Sequence, residues 1–122
     1  MHRTLFVGLI AVVAAMPCAA SAKVTSAFGI SIQSCVVNSS NGVTNGINVV
    51  YYNTHSTAAT EVDFLVRYHH ARYVLMDHGT FTQNAQINHN LTNALVGQAW
   101  EGATPRMCTV QRVYLANGKT LE

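Results

Sequence analysis

Apolar and polar residues alternate with a period of two along this chain, and this pattern constrains the fold more than any other feature. In the clearest case, Val62, Phe64 and Val66 alternate with Glu61 and Asp63. Successive side chains of a β-strand point to opposite faces, so such a segment offers one face to a core and one to water. The same alternation, or a short apolar run, predicts strands over residues 28–33, 47–52, 61–68, 73–76, 85–91 and 108–115.

Residues that favour turns separate these segments. Glycine and asparagine accept positive φ at little cost, and aspartate caps turns with its side chain. The predicted turns are Asn41-Gly42, Asn45-Gly46, Asp77-His78-Gly79 and Asn117-Gly118.

Short strands at regular spacing with such turns predict an all-β fold, an antiparallel immunoglobulin-like β-sandwich of about seven strands in a single domain. Residues 94–100 are a candidate for the seventh strand. Gly97, Gly102 and Pro105 favour instead a long loop across residues 93–105.

The N-terminal segment has the organisation of a cleavable secretory signal. His2 and Arg3 form a short basic region, residues 4–16 are an apolar run, and Pro17 ends that run. A helix of this length reaches only ~20 Å, which is too short for a hydrocarbon core of ~30 Å. Ala20-Ser21-Ala22 fits a signal peptidase site, so residues 1–22 are predicted to be removed. The mature domain, residues 23–122, is expected to be secreted or periplasmic.

An alternative interpretation is a lipoprotein acylated on Cys18. A lipobox requires small residues just before the cysteine, whereas this chain has Met16 and Pro17 there. No second apolar stretch approaches membrane-spanning length, so no membrane span is expected after cleavage.

Two of the three cysteines remain after cleavage, because Cys18 leaves with the signal. A pair in an oxidising compartment has one connectivity, so we predict the disulfide Cys35–Cys108. It would tie an early strand to a late one. The alternative is two free thiols that bind metal or act as a redox pair, but their separation offers no Cys-x-x-Cys geometry.

The cations are spread singly along the chain. Without Arg3, six Lys and Arg face five Asp and Glu, which gives a net charge of +1 (7 − 1 − 5). Proteins that bind nucleic acid draw affinity from clustered cations that neutralise phosphates. The sequence has no basic run, so we predict no nucleic-acid partner. The six cations are Lys23, Arg67, Arg72, Arg106, Arg112 and Lys119.

A set of short motifs lies between Cys35 and Thr120: Tyr52-Asn53-Thr54, Asp77-x-Gly79-Thr80-Phe81, Ile87-x-His89, and Cys108 followed by Val113-Tyr114-Leu115-Ala116-Asn117-Gly118. Together they resemble a group of short, uncharacterised bacterial secreted or periplasmic proteins with an immunoglobulin-like β-sandwich. The chain departs from that group after Phe81, where Thr82-Gln83-Asn84 stands in place of Ser-Pro-Gly, and at Leu121, where the group tends to have tryptophan. The resemblance implies a fold and a location, and no activity.

Histidines are the candidate metal ligands of the mature chain. A site needs about three or four converging ligands. Adjacent strand residues point to opposite faces, so His69 and His70 serve one site only if a turn at residues 68–71 relaxes the strand. Either could then meet His78, and with it Asp77, across a hairpin to hold copper or zinc. The alternative is that the turn histidines are solvated and that His89 is half-buried and hydrogen-bonded. We assign no metal ligand.

Catalytic motifs are absent from the sequence. It has no Gly-x-Ser-x-Gly elbow, no Gly-rich phosphate loop and no His-Glu-x-x-His. His55, Ser56 and Asp63 have no spacing that brings them together. Glu61 and Asp63 share a strand face, where we expect a solvated edge that faces Arg67 or Arg72. We therefore predict a protein that is not an enzyme, with no catalytic residues and no cofactor.

Two function classes remain for an exported all-β domain. The first is a binding or structural module that presents loops or an edge strand to a protein partner at the bacterial cell envelope. The alternative is a histidine-based periplasmic protein that binds copper or zinc.

Overall fold

The computed structural model describes residues 22–40, 43–92 and 105–122. The described part contains eight β-strands and no helix. All six predicted strands are confirmed, and several are longer than the pattern indicated. The strands are β1 (Lys23–Thr25), β2 (Ile30–Ser40), β3 (Val43–Asn53), β4 (Ala59–Arg67), β5 (Arg72–Phe81), β6 (Gln86–Leu91), β7 (Met107–Leu115) and β8 (Thr120–Leu121).

The strands form two sheets. A five-stranded sheet has the order β1-β7-β4-β5, and β8 also pairs with β7. A three-stranded sheet has the order β2-β3-β6. β1 runs parallel to β7, and the other neighbours are antiparallel. Because β4 pairs with both β5 and β7, the turn after β4 lies beside the beginning of β7.

Apolar side chains from both sheets fill the space between them. Tyr51 of β3 is fully buried, and its ring lies 5.0 Å from that of Phe64 of β4 and 5.8 Å from that of Phe81 of β5. Both contacts are edge-to-face, a favoured geometry for aromatic pairs. The contacts join strands of different sheets, so the fold is an all-β sandwich.

The predicted disulfide between Cys35 and Cys108 is confirmed. Cys35 lies in β2 of the three-stranded sheet and Cys108 in β7 of the five-stranded sheet, and both are fully buried. The bridge does connect an early strand with a late one. It also crosses the core from one sheet to the other, which the sequence did not indicate.

Two of the predicted turns are wrong. Asn45-Gly46 lies inside β3, where Gly46 has φ +143° and a Cβ would lie 2.8 Å from the carbonyl oxygen of Leu91. Glycine at this position permits the close approach of β6, and it does not reverse the chain. Asp77-His78-Gly79 lies inside β5. The turn at Asn117-Gly118 is confirmed, with Gly118 at φ +89° between β7 and β8.

Several predictions fall outside the described residues. They are the signal segment over residues 1–21, the turn at Asn41-Gly42 and the candidate strand over residues 94–100. Ala22, the last residue of the predicted signal, is described: it is buried, and its N–H donates to the carbonyl oxygen of Cys35 at 2.9 Å. The residues described include no helix long and apolar enough to cross a membrane.

Candidate functional site

A partly buried polar network of Tyr51, Asp77 and His89 joins the two sheets. Tyr51 Oη donates to Asp77 Oδ2 at 2.7 Å, and His89 Nδ1 lies 2.8 Å from the same oxygen and 2.9 Å from Oδ1. A carboxylate only accepts, so Nδ1 of His89 carries the proton. Burial, and then the hydrogen bond to Asp77, raise the pKa of Tyr51, which keeps the phenol protonated as a donor.

The geometry gives this network a structural role. Tyr51 and His89 belong to the three-stranded sheet and Asp77 to the five-stranded one, so the two hydrogen bonds link the sheets. The His89 side chain is 46% exposed, in agreement with the expectation of a half-buried, hydrogen-bonded histidine. Among the described residues, no hydroxyl or thiol forms a direct hydrogen bond with His89, which reaches the Tyr51 hydroxyl only through Asp77. The network orients an imidazole without offering it a nucleophile.

Acidic residues share the outer face of the five-stranded sheet. Glu61 and Asp63 lie on this face, as predicted, but Asp63 is only 4% exposed and lies opposite Arg112. The expectation of a solvated edge that faces Arg67 or Arg72 is wrong, because Arg112 of β7 lies across from Asp63. Arg112 Nη1 lies 3.9 Å from Asp63 Oδ2, and its Nε donates to Glu122 at 3.0 Å.

Burial, followed by the hydrogen bond and the charge of Glu61, raises the pKa of Asp63 to about 7, and the charge of Arg112 acts in the opposite direction. Among the described residues, Asp63 Oδ1 has no hydrogen-bond partner. A charged carboxylate is therefore poorly satisfied here, and the neutral form is favoured up to neutral pH.

The pH dependence of folding is expected to report this carboxyl group. Its pKa is raised in the folded state, so its stabilising contribution is complete below pH ~4 and is lost as the pH rises through ~7. Asp63→Asn removes the charge, so the variant should gain stability relative to the wild type between pH 5 and pH 8. Urea unfolding of both proteins across that range measures the difference. Glu61→Gln should give a smaller gain in the same direction, and a difference that stays constant with pH would contradict the assignment.

An open cavity lies at the β4–β5 end of the five-stranded sheet. Its volume is about 550 Å³, and it is lined by residues 67–72 together with Arg106 and Met107. Residues 68–71 form the turn between β4 and β5, and the N–H of Tyr68 closes this turn by donating to the carbonyl oxygen of Ala71 at 2.7 Å. The N–H of Arg106 donates to the carbonyl oxygen of Arg67, also at 2.7 Å, and holds the start of β7 against the turn.

Cations converge on this cavity, which we call the cationic cavity. Arg67 and Arg72 are paired directly across the β4–β5 ladder, and Arg106 is brought to them by the pairing of β4 with β7. His69 and His70 lie in the turn and are exposed, as expected for solvated turn histidines. Lys23 of β1 pairs with Met107, which also lines the cavity. Four of the six cations predicted to remain after cleavage therefore lie at one end of the domain.

The carboxylates of the described residues lie away from the cationic cavity. Glu61 and Asp63 are six and four positions before Arg67 along β4, or about 20 and 13 Å at ~3.3 Å per residue. Asp77 lies opposite Val62 in the β4–β5 ladder. Glu122 forms an ion pair with Arg112. Across residues 22–40, 43–92 and 105–122, no salt bridge neutralises the three cavity arginines. Charge is thus separated along the sheet.

The proposed meeting of turn histidines with His78 does not occur. His69 and His70 lie in the β4–β5 turn, whereas His78 lies six residues beyond Arg72 along β5, about 20 Å away. His78 Nε2 instead lies 2.9 Å from Glu61 Oε1. In the described segments, no three His, Cys, Asp or Glu side chains are grouped as metal ligands. The hairpin site envisaged for copper or zinc is therefore not formed by these histidines.

Sequence reasoning missed the cationic cavity because it considered spacing along the chain and not pairing between strands. One signal was present. Arg67 and Arg72 flank the turn at residues 68–71, so a tight antiparallel hairpin has to place them opposite each other. The proximity of Arg106 to Arg67 depends on the pairing of β4 with β7, for which the sequence gives no local signal.

Comparisons with known proteins add no relative. No family model matches this chain. Searches of curated proteins and of solved structures also found no match. The resemblance to bacterial exported proteins has no support from these comparisons.

Proposed function

We propose that this chain is an exported immunoglobulin-like β-sandwich that serves as a binding module at the bacterial cell envelope. Its binding end is the cationic cavity. The observation that carries the proposal is that a cavity of about 550 Å³ opens at a turn-bearing end of the domain. Volumes of ~300–1,000 Å³ are typical of small-molecule sites.

The strand connections support the immunoglobulin-like part of the proposal. The chain leaves β3 for the β4–β5 hairpin in the opposite sheet, returns to β6 beside β3, and crosses again to β7 beside β4. Sandwiches of this class alternate between sheets in a similar way and present their loops at the two ends.

Export is supported by the N-terminal segment and by the buried disulfide. Disulfides persist in oxidising compartments and are rare in the cytosol. A domain of about 100 residues has a modest core, so an intersheet covalent bond is a useful addition outside the cell.

Site-specific photocrosslinking in intact cells tests the proposal. A benzoylphenylalanine at Ala71 places the probe in the cationic cavity, and the same probe at Thr82 is the matched control, because Thr82 follows β5 at its opposite end. We expect a crosslinked envelope component from Ala71, recovered in the envelope fraction, and none from Thr82. Adducts from Thr82 alone, or from neither position, would contradict the proposed binding end.

A further inference from the structure

We infer that the cationic cavity recognises a phosphoryl group on its ligand. This inference rests on the proposed function and names the chemical class that the binding end takes. Three guanidinium side chains, those of Arg67, Arg72 and Arg106, line one cavity. A guanidinium is planar and offers several N–H donors in a fixed fork, which matches the oxygens of a phosphoryl group in bidentate geometry.

The arrangement of the arginines favours binding of an anion, which would reduce the repulsion between their positive charges. Arg67 and Arg72 are directly opposite each other in an antiparallel pair, where like charges are destabilising. No described carboxylate forms an ion pair with either of them. A phosphoryl group carries a charge of about −1.5 to −2 near neutral pH, enough to offset this repulsion. A single carboxylate carries only about half of that charge.

The size of the cavity and the positions of the charges restrict the chemical class of the ligand further. A volume of about 550 Å³ holds a phosphoryl group together with a small attached body. Polynucleotides instead require cations along an extended track, whereas these cations are gathered at one end. The described carboxylates lie at the other end of the sheet or along it, so the charges of the described residues favour an anion at the cavity.

Calorimetric titration of the full chain, purified with its disulfide formed, tests this inference. Inorganic phosphate and pyrophosphate are titrated in low-salt buffer, with potassium chloride at matched ionic strength as the blank. We expect saturable binding of pyrophosphate at one site, and weaker binding of phosphate. Absence of binding to both anions would overturn the inference, even if the Ala71 probe still captures an envelope component.

Charge-neutralising variants locate the effect. Arg67→Gln with Arg72→Gln should weaken pyrophosphate binding by about a hundredfold, because each of the two lost charge-assisted hydrogen bonds costs roughly a factor of ten. Arg106→Gln alone should weaken it as well. Lys119→Gln is the matched control, since this exposed cation lies in the β7–β8 turn, away from the cavity. An equal loss in the Lys119 variant would show nonspecific charge attraction and overturn the assignment.

Further probes separate the sources of the phosphoryl group. Cosedimentation with vesicles of phosphatidylcholine containing phosphatidic acid, compared with phosphatidylcholine alone, reports a lipid headgroup. Binding to those vesicles assigns a phospholipid source, and binding of soluble pyrophosphate without vesicle binding assigns a soluble phosphate ester. A glutamate decapeptide that binds as tightly as pyrophosphate would contradict phosphoryl recognition, because it would show that any anion is accepted.

Discussion

Removal of the Cys35–Cys108 bridge is expected to lower the free energy of unfolding by about 4 kcal/mol. The bridge spans a sequence separation of 73 residues, and closing a loop of this length restricts the unfolded chain by that amount in the chain-entropy model. Both cysteines are fully buried, so the folded protein shields the bridge from solvent. For a domain of about 100 residues, this loss corresponds to a fall in Tm of about 20 °C.

Thermal and urea unfolding of the Cys35→Ala, Cys108→Ala double variant measures this loss. The wild type with its disulfide reduced is the matched control, because it lacks the bridge but keeps both sulfur atoms in the core. Both proteins should unfold at similar midpoints, well below that of the oxidised protein. A double variant within a few degrees of the oxidised wild type, or two free thiols found by alkylation and mass spectrometry, would contradict the bridge as the main covalent stabiliser.

Replacement of Asp77 by alanine is expected to cost about 3 kcal/mol of folding stability. The substitution leaves Tyr51 Oη without its acceptor inside a fully buried residue, and an unsatisfied buried donor costs ~1–3 kcal/mol. It also removes the carboxylate that lies within 2.9 Å of His89 Nδ1, so the second link between the sheets is lost.

A double-mutant cycle separates these contributions. Tyr51→Phe removes the hydroxyl and keeps the ring that contacts Phe64 and Phe81. Combined with Asp77→Ala, it should be less destabilising than the sum of the two single variants, because no buried donor is then left unpaired. Urea denaturation of the four proteins gives the coupling energy. Strict additivity, or a loss below about 1 kcal/mol for Asp77→Ala, would contradict a cooperative network.

Alternation along the chain was enough to predict the all-β class and six strands, because the period of two is a direct consequence of strand geometry. It failed where local preference and tertiary pairing disagree. Asp77-His78-Gly79 has the composition of a turn, but Asp77 pairs with Val62, and its carboxylate accepts a hydrogen bond from Tyr51 of the other sheet. These long-range contacts hold the segment in β5, and no local sequence pattern predicts them.

The candidate site was predictable only in pieces. The disulfide followed from cysteine counting, and the shared face of Glu61 and Asp63 followed from their spacing. The burial of Asp63 did not, since it depends on which strand lies beside β4. The same ladder brings Arg106 to Arg67, although they are 39 positions apart in the sequence (106 − 67). Charges that are scattered along a sheet protein can therefore form one cluster, and the scatter alone does not exclude an anionic ligand.

The location of anion binding is most directly tested by amide chemical shifts of the isotope-labelled protein during titration with pyrophosphate. Residues 67–72 together with Arg106 and Met107 are expected to show the largest and saturable shifts, because they line the cationic cavity. Amides near Glu61, Asp77 and Lys119 should remain unchanged. Saturable shifts centred on those distant residues, or no shifts at all, would contradict a binding end at the β4–β5 turn.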